Sequence, residues 1–99
     1  MLDIKKTVNG NELVIVMTGR LDTLTAPQLE EELSASIDSA ENLVFDFSEL
    51  EYISSAGLRV LLSAQKNKNA SGSMTVKNVS EEIREIFDVT GFSDILTIE

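Results

Sequence analysis

Two adjacent hydroxyls, Ser54 and Ser55, stand three and two residues ahead of Gly57, where an apolar strand gives way to an amphipathic helix. A serine there has two physical uses. Its oxygen can accept a hydrogen bond from a first-turn amide, or it can carry a phosphate that faces unpaired amides at the positive end of the helix dipole. Ser55 is the better-placed N-cap for a helix that begins near Ala56, and an unmodified cap is worth roughly 1 kcal/mol. Gly57 in the first turn costs on the order of 1 kcal/mol against alanine. It is accounted for either by something that must approach the backbone or by close packing on a neighbouring element. Arg59 follows one turn beyond Ser55 on the same side, placed to face an added anion.

Little else in the chain can do chemistry. There is no cysteine and no histidine, which removes disulfides, thiolate nucleophiles, imidazole acid/base work and nearly every zinc or haem site. Asp46, Glu49 and Glu51 are close in sequence, but no nucleophile is paired with a base. A carboxylate-only magnesium site at Asp22 and Asp46 is the one metal arrangement to weigh. No Gly-x-x-x-x-Gly-Lys loop is present for nucleotide phosphates. The expectation is a protein that is not an enzyme, with no catalytic residue, no metal and no cofactor.

The charge narrows the partners. A net charge of −9 repels a phosphate backbone or an anionic membrane surface, so direct nucleic-acid binding is not expected. Within Tyr52 to Ser80, Arg59, Lys66, Lys68 and Lys77 give +4 with no acid, leaving −13 for the rest of −9. Lys66 and Lys68 complement the negative end of the helix they close, or the stretch makes a local field tolerant of an anion beside the serines. No run approaches the roughly 20 apolar residues of a membrane span, and Met1 to Val8 does not read as a signal peptide. A soluble cytoplasmic protein is expected.

The elements that must position the serines follow from pattern. Ile4 to Val8 reads as a short strand, Asn9-Gly10-Asn11 as a turn, and Leu13 to Thr18 as a second strand forming a hairpin with the first. Thr25-Ala-Pro-Gln28 is a capping-box start with Pro27 in the first turn. Leu29, Leu33 and Ile37 then make a buried stripe opposite Glu30, Glu31 and Glu32. Leu43 to Phe47 is a buried strand. A second helix runs from about Ala56 to Asn67 on Leu58, Leu61, Leu62 and Gln65. Ser71-Gly72 breaks the chain before a strand at Met74 to Val79. Ser80 caps a third helix carrying Ile83, Ile86 and Phe87, which stops at a left-handed Gly91 with Phe92 packed back on Phe87. Ile95 to Ile98 is a final short strand.

This order predicts one α/β domain over residues 1–99, with a mixed, mostly parallel sheet of four to five strands. An N-terminal hairpin and a covering of three or more helices complete it. In such a sheet the working surface lies beyond the carboxyl ends of the parallel strands. Two loops gather there, Gly19 to Thr23 and Ser48 to Ser55, which would make Asp22 a neighbour of the serine pair.

Asp46-Phe-Ser-Glu-Leu50 followed by Tyr52-Ile-Ser-Ser-Ala-Gly-Leu-Arg-Val-Leu-Leu62 resembles the signature of the STAS domain family of anti-sigma factor antagonists. Met17-Thr-Gly-Arg-Leu-Asp22 with Thr25-Ala26, and Ile86-Phe-Asp-Val-Thr-Gly-Phe92, are similar to the family's other two marks in the same order. The likeness covers nearly the whole chain. It implies a STAS fold that binds an anti-sigma factor with serine kinase activity and so frees a sigma factor. Phosphorylation of a serine by that kinase switches the antagonist off, and a serine phosphatase restores it.

By the same resemblance the acceptor falls on Ser55, and Asp22 falls where the family places an acid close to it. Ser54 stands where family members commonly have an aspartate, and Ala56 where they have a hydroxyl, which makes Ser54 the alternative acceptor. The partner surface implied comprises Asp22, Thr23, Ser54, Ser55, Gly57, Leu58 and Arg59. The alternative role is a non-phosphorylated STAS subunit of a lipid-transport or stress-signalling assembly, with the serine only a cap.

Overall fold

A computed structural model describes residues 2–36 and 40–99, apart from the side chains of Ala70 and Ser71. The expected stripe residue Ile37 lies outside the described residues. The elements are β1 (Leu2–Asn9), β2 (Glu12–Leu21), α1 (Ala26–Ser36), β3 (Asn42–Ile53), α2 (Ser55–Ser71), β4 (Ser73–Lys77), α3 (Glu81–Thr90), a 3₁₀ turn (Phe92–Asp94) and β5 (Thr97–Ile98).

The five strands form one mixed sheet in the order β1-β2-β3-β4-β5. β1 pairs antiparallel with β2 through the Gly10-Asn11 turn, Gly10 taking φ 60°. β2, β3, β4 and β5 run parallel to one another. Leu13, Ile15 and Met17 alternate inward on β2, as Leu43, Phe45 and Phe47 do on β3 and Met74 and Val76 on β4. These residues share one apolar cluster with Leu29 and Leu33 of α1, Leu58 and Leu61 of α2, and Ile83 and Phe87 of α3, so the helices cover that face. Phe47 sits at its centre, its ring centroid 6.1 Å from Phe45 and 6.2 Å from Phe87.

β3 is longer than the apolar run Leu43 to Phe47 indicates, reaching Ile53. Its inward residues Phe47, Leu50 and Ile53 lie three apart, a spacing that does not read as a strand. Two register shifts against β2 account for it, between Val16 and Thr18 and between Gly19 and Arg20. An extra β3 residue at each bulge restores the inward direction. Gly19 takes φ 109° at the second, a conformation an L side chain rarely adopts. The Ser48-to-Ser55 loop read from sequence is therefore mostly strand, and the connection to α2 shrinks to Ser54.

The helix ends divide in the same way. Ser80 caps α3 by accepting from the Ile83 amide at 3.3 Å, and Gly91 ends it at φ 82° in the left-handed region, both as read from sequence. α2 extends beyond Asn67 to Ser71. In its last turn Lys68 is buried and its Nζ donates to the Ala40 carbonyl at 2.5 Å, which ties the helix end to the start of β3.

Candidate functional site

The carboxyl ends of β2 and β3 lie side by side. Leu21 pairs with Ile53, and the Ser54 amide donates to the Leu21 carbonyl at 2.9 Å. Asp22 and Ser54 thus follow paired residues of adjacent strands, which makes the acid and the serines neighbours as expected. Asp46 pairs with Val16 instead. That position lies roughly 20 Å back along the strands at about 3.3 Å per residue, so Asp22 and Asp46 cannot share a magnesium ion. Among the described residues no group of three metal-binding side chains occurs.

The two serines exchange the roles read from sequence. Ser54, not Ser55, is the N-cap: its backbone is extended (φ −98°, ψ 174°), its hydroxyl accepts from the Gly57 amide at 3.3 Å, and its carbonyl accepts from the Leu58 amide at 2.9 Å. The cause is the extension of β3, which carries the strand-to-helix switch one residue earlier. Ser55 becomes the first helical residue, exposed, with no side-chain hydrogen bond to the described residues.

Gly57 holds this arrangement against the sheet. A Cβ there would meet Leu21 Cγ at 2.7 Å and Ile53 Cγ1 at 3.0 Å. Of the two explanations for this glycine, close packing on a neighbouring element is the one observed. Leu58, expected on the partner surface, is buried in the core. Arg59 is exposed and makes no ion pair among the described residues. With Thr23, Ala56 and Pro27 it lines a shallow cleft of about 420 Å³ between the N-terminal ends of α1 and α2.

The expected capping box at Thr25 does not form. The Thr25 hydroxyl accepts from the Asp22 amide at 2.8 Å and donates to the Arg20 carbonyl at 2.8 Å, while Gln28 Nε2 reaches the Leu2 carbonyl at 3.0 Å. Asp22 Oδ1 accepts from the amides of Leu24 at 3.0 Å and Thr25 at 3.1 Å, an Asx-type turn that outcompetes the box. Partial desolvation works to raise the Asp22 pKa. The Thr25 and Leu24 amides, the Thr25 hydroxyl and Arg20 outweigh it, so the carboxyl titrates below its ordinary value and stays ionised at neutral pH.

Three residues at this end were not singled out in the sequence. Arg20 and Tyr52 face each other across the strands, with the guanidinium 4.4 Å from the ring centroid in a cation–π contact. Leu24 is 89% exposed at the tip of the Asp22 turn. The signal for Leu24 was available: it belongs to no apolar stripe. Arg20 and Tyr52 required the bulged register.

The sequence model of the STAS domain matches residues 3–99. BtrV of Bordetella bronchiseptica is 38% identical over 88 residues, which are 87% of this chain and 76% of that protein. The anti-sigma-B factor antagonist of Bacillus subtilis is 32% identical over 98 residues, covering 98% of this chain and 88% of its own. Among solved structures, an anti-sigma factor antagonist from Mycobacterium paratuberculosis superposes with a TM-score of 0.90 at 24% identity, over 99% of this chain and 85% of that one. No helix among the described residues is long and apolar enough to cross a membrane. Fold, motif order and relatives agree, and the chain belongs to the STAS domain family.

Proposed function

We propose that this chain is an anti-sigma factor antagonist switched by phosphorylation of Ser55. Its partner is an anti-sigma factor with serine kinase activity; binding frees a sigma factor, and a serine phosphatase reverses the modification. Such an exchange operates in the cytoplasm. The ATP belongs to the partner, and the chain itself catalyses nothing.

The division of labour between the serines supports this reading most directly. Ser54 supplies the cap, so phosphorylating Ser55 need not sacrifice the hydrogen bond that starts α2. Ser55 is exposed at the first helical position, beside amides that have no helical acceptor and one turn from Arg59, which is in no ion pair among the described residues. A phosphoserine adds about −1.5 to −2 charges at neutral pH. On a binding face that charge must be desolvated or repelled when the partner closes over it, and the complex is lost. Ser54, the alternative acceptor, is half-buried and already engaged.

Titration of candidate anti-sigma factors from the same genome against three forms tests the reading. Wild type and Ser55→Ala should bind alike, and Ser55→Asp should fail to bind. Equal binding by Ser55→Ala and Ser55→Asp refutes the switch.

A further inference from the structure

Leu24 stands out because the fold holds it where burial cannot reward it. A single exposed apolar side chain is ordinary on a protein surface. This one is built in. The Asp22 carboxylate accepts from the Leu24 and Thr25 amides, and the Thr25 hydroxyl bridges the Asp22 amide and the Arg20 carbonyl. Four hydrogen bonds therefore shape the turn, and the side chain at its tip is 89% exposed.

The turn is also continuous with the Ser55 surface. Thr23, next to Leu24, lines the same cleft as Ala56, which follows the acceptor serine on α2, and Arg59, one turn beyond it. On the other side Leu21 and Ile53 pair beneath both segments. Leu24 and Ser55 are thus each one residue away in sequence from a lining residue of the same cleft, Thr23 on one side and Ala56 on the other.

Resting on the reading that an anti-sigma factor binds at Ser55, we propose that Leu24 is the apolar anchor of that complex, inserted into a hydrophobic pocket of the anti-sigma factor, with Asp22 as the residue that positions it. Burying a leucine side chain against a partner removes apolar surface from water. Because the turn is already hydrogen-bonded, little backbone ordering opposes the insertion. A phosphate on Ser55 then acts at the opposite wall of the cleft and holds the partner off the anchor. Asp22 contributes through hydrogen bonds to the turn, so Asp22→Asn, which keeps an oxygen acceptor, should bind better than Asp22→Ala.

The test uses the anti-sigma factor retained by the wild-type chain in the titration above, with affinity read by calorimetry. Leu24→Ser should weaken binding at least ~30-fold, the scale of an interface hot spot. Leu24→Met should restore most of it. The thermal midpoint of Leu24→Ser should match wild type, because the side chain contributes little to the folded core. Val89→Ser, which removes another exposed apolar side chain, 79% exposed on α3, should leave affinity unchanged. Wild-type affinity for Leu24→Ser while Ser55→Asp is inactive overturns the anchor and leaves the switch standing. Equal weakening by Val89→Ser overturns it too, since the effect is then not specific to the turn. If no anti-sigma factor retains the wild-type chain, the switch and the anchor fall together.

Discussion

Replacing Gly57 by alanine tests how the serine pair is held. In an exposed helix the change gains about 1 kcal/mol of helix propensity. Here the new Cβ would lie 2.7 Å from Leu21 Cγ and 3.0 Å from both Ile53 Cγ1 and Leu21 Cδ2. The nearest atom is the branch point of a leucine rather than the end of a flexible chain. Leu21 has no exposed surface and Ile53 almost none, so neither can swing into solvent. Overpacking a filled core costs about 1–3 kcal/mol. The expected balance is a loss of up to about 2 kcal/mol, which for a domain of this size lowers the thermal midpoint by up to roughly 15 °C. Urea denaturation of Gly57→Ala, Leu21→Ala and the double variant separates the contributions. Leu21→Ala removes two of the three close atoms, the nearest included, and opens space into which Ile53 can shift, so in that background Gly57→Ala should be neutral or stabilising. A Gly57→Ala that stabilises the wild-type background by about 1 kcal/mol refutes the packing argument.

Three further outcomes are expected. Ser54→Ala should destabilise by about 1 kcal/mol and Ser55→Ala by less than ~0.5 kcal/mol in urea melts, since only Ser54 caps α2. Gly72→Ala should destabilise more than Gly57→Ala, by ~3 kcal/mol or more, because its Cβ would lie 1.9 Å from the Glu41 carbonyl oxygen and backbone must move; equal midpoints would count against that contact. Desolvation raises the Asp46 pKa, but the Ser48 amide and hydroxyl, Asn78 and Lys77 outweigh it, and the Asp22 carboxyl is lowered in the same way. Carboxyls lowered in the folded state bind protons more readily when unfolded. Their stabilisation is present above the ordinary value of 3.8 and is lost as pH falls below it, so urea midpoints should drop between about pH 5 and pH 3, less steeply in Asp46→Asn.

What the sequence disclosed was local. The Ser80 cap and the left-handed Gly91 depend on residues within one turn of themselves, and both are observed. The hairpin, the parallel strands and the helical face followed from alternation and spacing. The reach of β3 was hidden because its inward residues fall three apart, and only pairing with β2 through two bulges makes Ser48 to Ile53 a strand. The cap moved from Ser55 to Ser54 for that reason alone. Thr25 misled differently: its capping box was locally plausible, but Asp22 offered nearer acceptors and the Leu2 carbonyl took Gln28. The buried end of α2 depended on Ala40, distant in sequence, accepting from Lys68.

The central claim is that Ser55 is the switch and Ser54 the structural cap. Incubating the chain with ATP and the anti-sigma factor that retains it, mapping any modified residue by mass spectrometry and titrating the modified chain against the same anti-sigma factor tests it most directly. The expected result is one phosphate, on Ser55, with loss of binding. A phosphate on Ser54, or a Ser55-phosphorylated chain that binds as tightly as the unmodified one, contradicts the account.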